Sequence, residues 1–370
     1  LVGSYWGGVK KIKRAAKEKQ MDSKGIDLVK YIAAILVICF HCESIFQDPA
    51  INHLFKNVLC RFAVPYFLIS TSYFVRRGQS QSSDYTKQYI KSLAKSYFFW
   101  SLIYLPIGFM WIQQNYSLTP TLYPVALVAG LFYTGTYYHL WYIPAAIFGI
   151  ICVQWLLKQA GYIALFSLAT LMYGFGTLET YYAYIGNDQL KVFFDQYMGL
   201  FITTRNGLFF ALIFVAMGFF LWDHREKIIS SQKYMGVLVV FTGLLLIGEG
   251  IIVYSNVGID KNFMWMLIPF TSCLFCWSLF VNVEEKIDVK RLRDLGKYYF
   301  FIHPLCILWT ANLVNSYDFF ANSWLQLIVT LIATHLLSSL VITLTQQLPY
   351  YYFDLQLTLQ VNRGYLQKLI

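Results

Sequence analysis

"KYIAAILVICFHCE", Lys30 to Glu43, is a nearly unbroken apolar run that opens on a lysine and carries a histidine eleven positions later, with a glutamate two residues beyond. A run of this length fits the core of a bilayer, and an ionisable group inside one costs at least ~2.5 kcal/mol unless it faces a cavity or a partner. The rest of the chain has the same character. Hydrophobic residues make up 58% of the 370, charged residues only 13%, and aromatics 19%; mean hydropathy is +0.51. Soluble domains carry roughly a quarter charged residues. The chain reads as an all-α, polytopic membrane helix bundle.

About ten spans are expected, near residues 28–46, 57–75, 96–113, 138–157, 160–178, 207–222, 234–254, 262–282, 298–314 and 323–346. They form one membrane domain over 25–348, between a basic segment 1–24 and a tail 349–370. The net charge of +10 is explained by where the basic residues fall. With both termini cytoplasmic, the inside segments collect most of them, and only about five, Lys56, Arg61, Lys191, Arg205 and Lys261, lie outside. This alternation supplies no continuous basic surface, so nucleic acid is not expected as a partner. Lipid is the expected environment, as an integral protein of a bacterial cytoplasmic membrane.

The segment "LVGSYWGGVKKIKRAAKEKQ" has no apolar core for a signal peptide. Met21 opens "MDSKGIDLVKY", a more natural start, so an extension before Met21 is expected. The tail "PYYYFDLQLTLQVNRGYLQKLI" is expected along the interface, its tyrosines at headgroup depth. Seven cysteines all fall within apolar runs, which argues against a disulfide framework. "CLFC" at 273–276 has zinc-like spacing but sits mid-helix without a second pair, so packing is expected rather than a metal site. "NYS" at 115–117 matches a glycosylation sequon.

Lys30 and His41 are eleven residues apart, roughly 16 Å along a helix, and ~20° apart around it, so they project from nearly the same face. Two readings stand: a snorkelling lysine with a core histidine, or one channel lined by a cation at one end and an imidazole toward the other. Three further stretches bear on the choice. "RFAVPYFLISTSYFVRRG" (Arg61–Gly78) places Ser70, Thr71 and Ser72 mid-span; "YYHLWYIPAAIFG" (Tyr137–Gly149) sets His139 and Trp141 at a helix entrance; "LGKYYFFIHPLCIL" (Leu295–Leu308) places His303 before Pro304.

With these motifs in this order, the chain resembles the acyltransferase-3 family of integral-membrane acyltransferases, over about residues 24–346. That family has a basic residue, ten residues, then histidine in its first helix. The family usually has arginine where this chain has Lys30, and Ser-Gly where it has Ser70-Thr71. The resemblance is strongest to a branch that includes the membrane portions of vancomycin-resistance serine racemases, in which "TRNGLFF" (Thr204–Phe210) recurs.

The resemblance implies transfer of an acyl group, commonly acetyl, from cytoplasmic acyl-CoA to a hydroxyl of an extracytoplasmic glycan or similar acceptor, with no permanently bound cofactor. On that reading His41 is the general base, with Lys30 and Glu43 the other catalytic candidates, although positions i and i+2 of a helix point apart. Lys30, Arg76 and Arg77 form a basic mouth for the CoA phosphates. Arg61, Ser70, His139, Trp141 and Arg205 bind the acceptor or polarise the thioester; for Arg61 and Arg205 the alternative is a salt bridge to Glu43, Asp188 or Asp195. Glu249 is read as a proton relay or the partner of a buried cation, His303 as structural, His335 and His53 as packing and surface. A transporter or solute-binding membrane domain, for example for a small amino acid, is the competing function.

Overall fold

The computed structural model describes residues 23–115, 119–255, 258–316 and 323–347. The basic segment 1–24 lies almost wholly outside them, as do the tail 349–370 and two of the three sequon residues. Among the described residues the chain is helical and has no strand. The main helices are α1 (Ser23–His41), α2 (Pro49–Gln79), α3 (Tyr85–Asn115), α4 (Tyr123–Thr134), α5 (Tyr142–Thr177), α6 (Asp188–Phe201), α7 (Gly207–Asp223), α8 (Met235–Tyr254), α9 (Leu267–Ser278), α10 (Val289–Ser316) and α11 (Ser323–Gln347).

Pro49–Gln79, Tyr142–Thr177, Gln232–Tyr254 and Ser323–Gln346 are long and apolar enough to cross a membrane. Each of the other expected spans is also helical. Three, α1, α3 and α10, bear charged residues in their first turns, while α7 and α9 are short. The protein is an integral membrane protein.

The 36 residues of α5 would run ~54 Å if straight. Yet Trp141, just before the helix, and Tyr173, near its end, both pack against Phe210, with ring centroids 5.5 and 6.3 Å away. The chain folds back at Gly161, whose φ of 74° is a conformation that costs glycine little and other residues more. This matches the expected break between 157 and 160. The two arms and α7 bury Ala146, Ile150, Ala169 and Phe214 in the main core.

Charged groups gather at the two ends of the bundle. At one end Arg76 pairs with Asp223 at 2.9 Å, Tyr162 from the Gly161 turn donates to the same carboxylate at 2.7 Å, and Arg293 pairs with Asp27 at 3.4 Å. At the other end lie Arg61, Asp260, Glu179 and Arg205.

Candidate active site

Sequence spacing alone sets Lys30 and His41 on one face of α1, and the structure puts a different environment beside each. Lys30 lines a cavity of about 350 Å³ together with Arg293 and Lys297 from α10, Tyr85, Gln88, Tyr89, Ser92 and Ser96 from α3, and Thr71 and Tyr142. Three basic side chains from two helices thus line one space rimmed by hydroxyls, Arg293 while also paired with Asp27. The rings of Phe300, Phe301 and Tyr142 form part of its wall.

Against the Phe300 ring stands a cluster of three histidines. The His41 ring stacks on His303, centroids 5.5 Å apart and planes 26° from parallel, and tilts against Tyr138 at 4.7 Å. His139 stands edge-on to His303 at 5.5 Å and to Phe300 at 5.3 Å. Phe300 therefore touches both the cavity and the imidazole cluster. His303 Nδ1 lies 2.8 Å from the Tyr299 carbonyl; only a protonated Nδ1 donates there, so Nε2 keeps its lone pair. Nε2 of His303 and both ring nitrogens of His139 are buried with no hydrogen-bond partner among the described residues. No group of His, Cys, Asp and Glu among the described residues is disposed to hold a metal.

His139 reaches this cluster because the chain turns tightly at Gly135, where φ is 79° and a Cβ would stand 2.4 Å from the Trp141 amide. Trp141, 8% exposed, lies under the Arg205 guanidinium at 5.4 Å. Arg61 stacks on Phe40 at 4.2 Å, pairs with Asp260 at 3.3 Å, and donates to Asn262 and Asn57. Its anionic partner is thus Asp260, in place of the three carboxylates proposed from sequence. Glu179, in the loop after α5, accepts the Thr204 amide at 2.6 Å, and burial pushes its carboxyl above the usual carboxylate range.

Other expected site residues are placed elsewhere. Glu43 is exposed beyond the end of α1. Ser70 is fully buried and donates to the Phe67 carbonyl of its own helix at 3.1 Å; its neighbour Thr71 faces the cavity instead. Arg76 is engaged by Asp223, and Arg77 lies over Trp222 at 5.8 Å, so neither lines the cavity with Lys30. Glu249 accepts the amides of Trp265 and Met266 at 2.7 Å each, and the Tyr181 hydroxyl; it holds the chain entering α9. His53 is 5% exposed and bonds the Gly250 carbonyl at 2.9 Å, so it is a packing residue and not a surface one. His335 packs as expected, bonded to the Tyr299 hydroxyl at 2.8 Å.

Sequence reasoning missed Arg293 and Lys297 as cavity cations, whereas the structural reading of His303 agrees with its bond to the Tyr299 carbonyl of its own helix. The signal for the first two was present: Lys297 lies four residues beyond Arg293, so both fall on one face of α10.

Three racemases match the chain. An amino-acid racemase of Enterococcus faecalis is 27% identical over 88% of this chain and 47% of its own length. A second from the same organism is 25% identical over 78% of the chain and 40% of its length. A serine/alanine racemase of Enterococcus gallinarum is 27% identical over 85% and 45%. The chain spans less than half the length of these curated relatives. No solved structure matches it. The acyltransferase-3 family model, described as an acyltransferase domain, matches residues 23–343, nearly all of the helices that carry the basic cavity and the three histidines, and the chain belongs to that family of integral-membrane acyltransferases.

Proposed function

We propose that this protein is an O-acyltransferase of the bacterial cytoplasmic membrane that moves an acyl group, acetyl in the simplest case, from cytoplasmic acyl-CoA to a hydroxyl of an extracytoplasmic glycan or similar acceptor. The membrane-acyltransferase class follows from the family; donor, acceptor and orientation are the proposal. One observation carries it: Phe300 lines the cavity that holds Lys30, Arg293 and Lys297, and the same ring touches His139 of the imidazole cluster. Phosphates cannot enter hydrocarbon, whereas the thin pantetheine arm of CoA can pass a side chain that swings aside.

In this reading the end holding Lys30 is cytoplasmic, as the excess of basic residues there suggests. The cations hold the CoA phosphates by charge-assisted hydrogen bonds, and the thioester passes Phe300 to reach the histidines. His41 takes the proton of the acceptor hydroxyl, the oxygen adds to the thioester carbonyl, and the tetrahedral oxyanion collapses with loss of the thiolate. The imidazolium returns its proton to that thiolate, so ester and free CoA leave. His303 and His139 position His41.

The test is incubation of the purified protein in nanodiscs with radiolabelled acetyl-CoA and an acceptor. Release of free CoA with label in an ester supports the reading, and intact acetyl-CoA in every acceptor mixture counts against it. A second reading, a membrane domain that binds or passes a small amino acid, is favoured by the racemase names of the relatives. Uptake of radiolabelled serine into proteoliposomes without any CoA release would select it.

A further inference from the structure

Arg205 is held rigidly and yet its charge is unused. The turn that carries it is fixed from every side: the Thr203 carbonyl accepts the Tyr133 hydroxyl at 2.6 Å and the Tyr197 hydroxyl at 3.3 Å. Glu179 accepts the Thr204 amide, and Asn206 caps the following helix through the amides of Leu208 and Phe209. Even the Arg205 amide is bonded, to the Thr203 hydroxyl at 2.9 Å. The guanidinium, by contrast, makes no hydrogen bond or ion pair among the described residues; its one close contact is the face of Trp141.

Ion-pairing separates the two arginines at this end. Arg61 is neutralised by Asp260 and bonded by two asparagines. For Arg205 the nearby carboxylate is Glu179, which is not within ion-pair distance and whose Oε1 already accepts the Thr204 amide. A half-buried guanidinium stacked on an indole and anchored through its backbone presents a planar fork of donors with little entropy left to lose. Such a fork matches a single carboxylate in bidentate geometry.

We infer that Arg205, on its Trp141 platform, is the receptor for a carboxylate carried by the hydroxyl acceptor, so that the acceptor is a hydroxy acid or an acidic sugar rather than a neutral glycan. The inference rests on the acyltransferase reading for its word acceptor, but not for the binding it asserts. Trp141 stands two residues after His139 of the imidazole cluster, so the fork and the imidazoles lie along one short segment, and a carboxylate on the fork leaves a hydroxyl of the same molecule to reach toward them.

Binding is measured without any acyl donor, by saturation-transfer NMR on the full chain in nanodiscs, with glycolate and its neutral isostere glycolamide as probes. Glycolate is expected to bind roughly tenfold or more tightly than glycolamide, the factor that one charge-assisted hydrogen bond brings. Arg205→Gln should abolish that preference, and Arg205→Lys, which keeps the charge but not the fork, should retain part of it. Equal binding of the two probes to the wild-type protein overturns the inference, whatever the variants do, and so does an unchanged preference in Arg205→Gln. Because no donor is present, a lost preference refutes the carboxylate receptor alone. Absent transfer from acetyl-CoA with the preference intact refutes the acyltransferase reading alone.

Discussion

His41 and His303 meet across the interface of α1 and α10, their rings stacked 5.5 Å apart, while Nδ1 of His303 is tied to the Tyr299 carbonyl. The first prediction follows from the different ties of the two rings. His41→Ala should leave thermal unfolding in detergent little changed and cut CoA release by ~10²–10⁴-fold, the usual loss of a general base. His303→Ala should reduce both turnover and unfolding temperature, because a fully buried side chain and its hydrogen bond go together. A His41→Ala protein with undiminished turnover would make the stacked pair a packing feature.

The second concerns the cavity. Lys30→Ala and Lys297→Ala should raise KM for acetyl-CoA, and Lys30→Arg should hold or lower it, since arginine adds a bidentate contact to phosphate. Arg76→Ala should leave KM alone and cost about 0.5–1 kcal/mol of stability, as expected for a partly exposed ion pair, because Arg76 is spent on Asp223. Steady-state kinetics beside thermal unfolding separates the two effects. Raised KM in Arg76→Ala would move the donor mouth toward the end of α2.

Packing of α2 on α7 gives the third. A Cβ at Gly218 would stand 1.9 Å from Ser72 Oγ and 2.4 Å from the Ile69 carbonyl, and backbone cannot yield as a side chain can. Gly218→Ala should therefore destabilise the protein by the ~1–3 kcal/mol of overpacking. Gly199→Ala, with nothing within 4 Å of the added Cβ, is the control and should be neutral or slightly stabilising. Equal unfolding temperatures for the two variants would mean that α2 and α7 separate easily.

Much of this arrangement was readable before any coordinates, for physical reasons. Apolar runs of bilayer length become helices because lipid leaves backbone groups no other partner, so every expected segment contains a helix, and the Gly161 turn lies one residue past the break placed near 157–160. The shared face of Lys30 and His41 follows from helix periodicity alone. What escaped the sequence depends on which helices touch. Arg76 and Arg77 looked as eligible for the cavity as Lys30 until Asp223 and Trp222 were seen to occupy them. Ser70 and Thr71 are adjacent, and only packing decides that Thr71 faces the cavity. Glu249, an apparent proton relay in an apolar run, proves to be the acceptor for the first amides of another helix, a role that requires knowing where α9 begins.

The last prediction tests the ten-span orientation on which the donor and acceptor sides depend. Single cysteines at Gly186, Gln189 and Lys261 should react with a membrane-impermeant maleimide added outside intact cells, whereas cysteines at Ser83, Lys158 and Glu285 should react only after permeabilisation. Lys158 is the informative position. It lies beside the Gly161 turn, and Tyr162 from that turn bonds Asp223, which Arg76 also holds; all three must therefore sit on one side of the bilayer. The seven native cysteines are buried or half-buried, so background labelling should be low. Labelling at Lys158 from outside would place the Lys30 cavity on the extracytoplasmic face, where acyl-CoA is absent, and the proposed direction of transfer would fall with it.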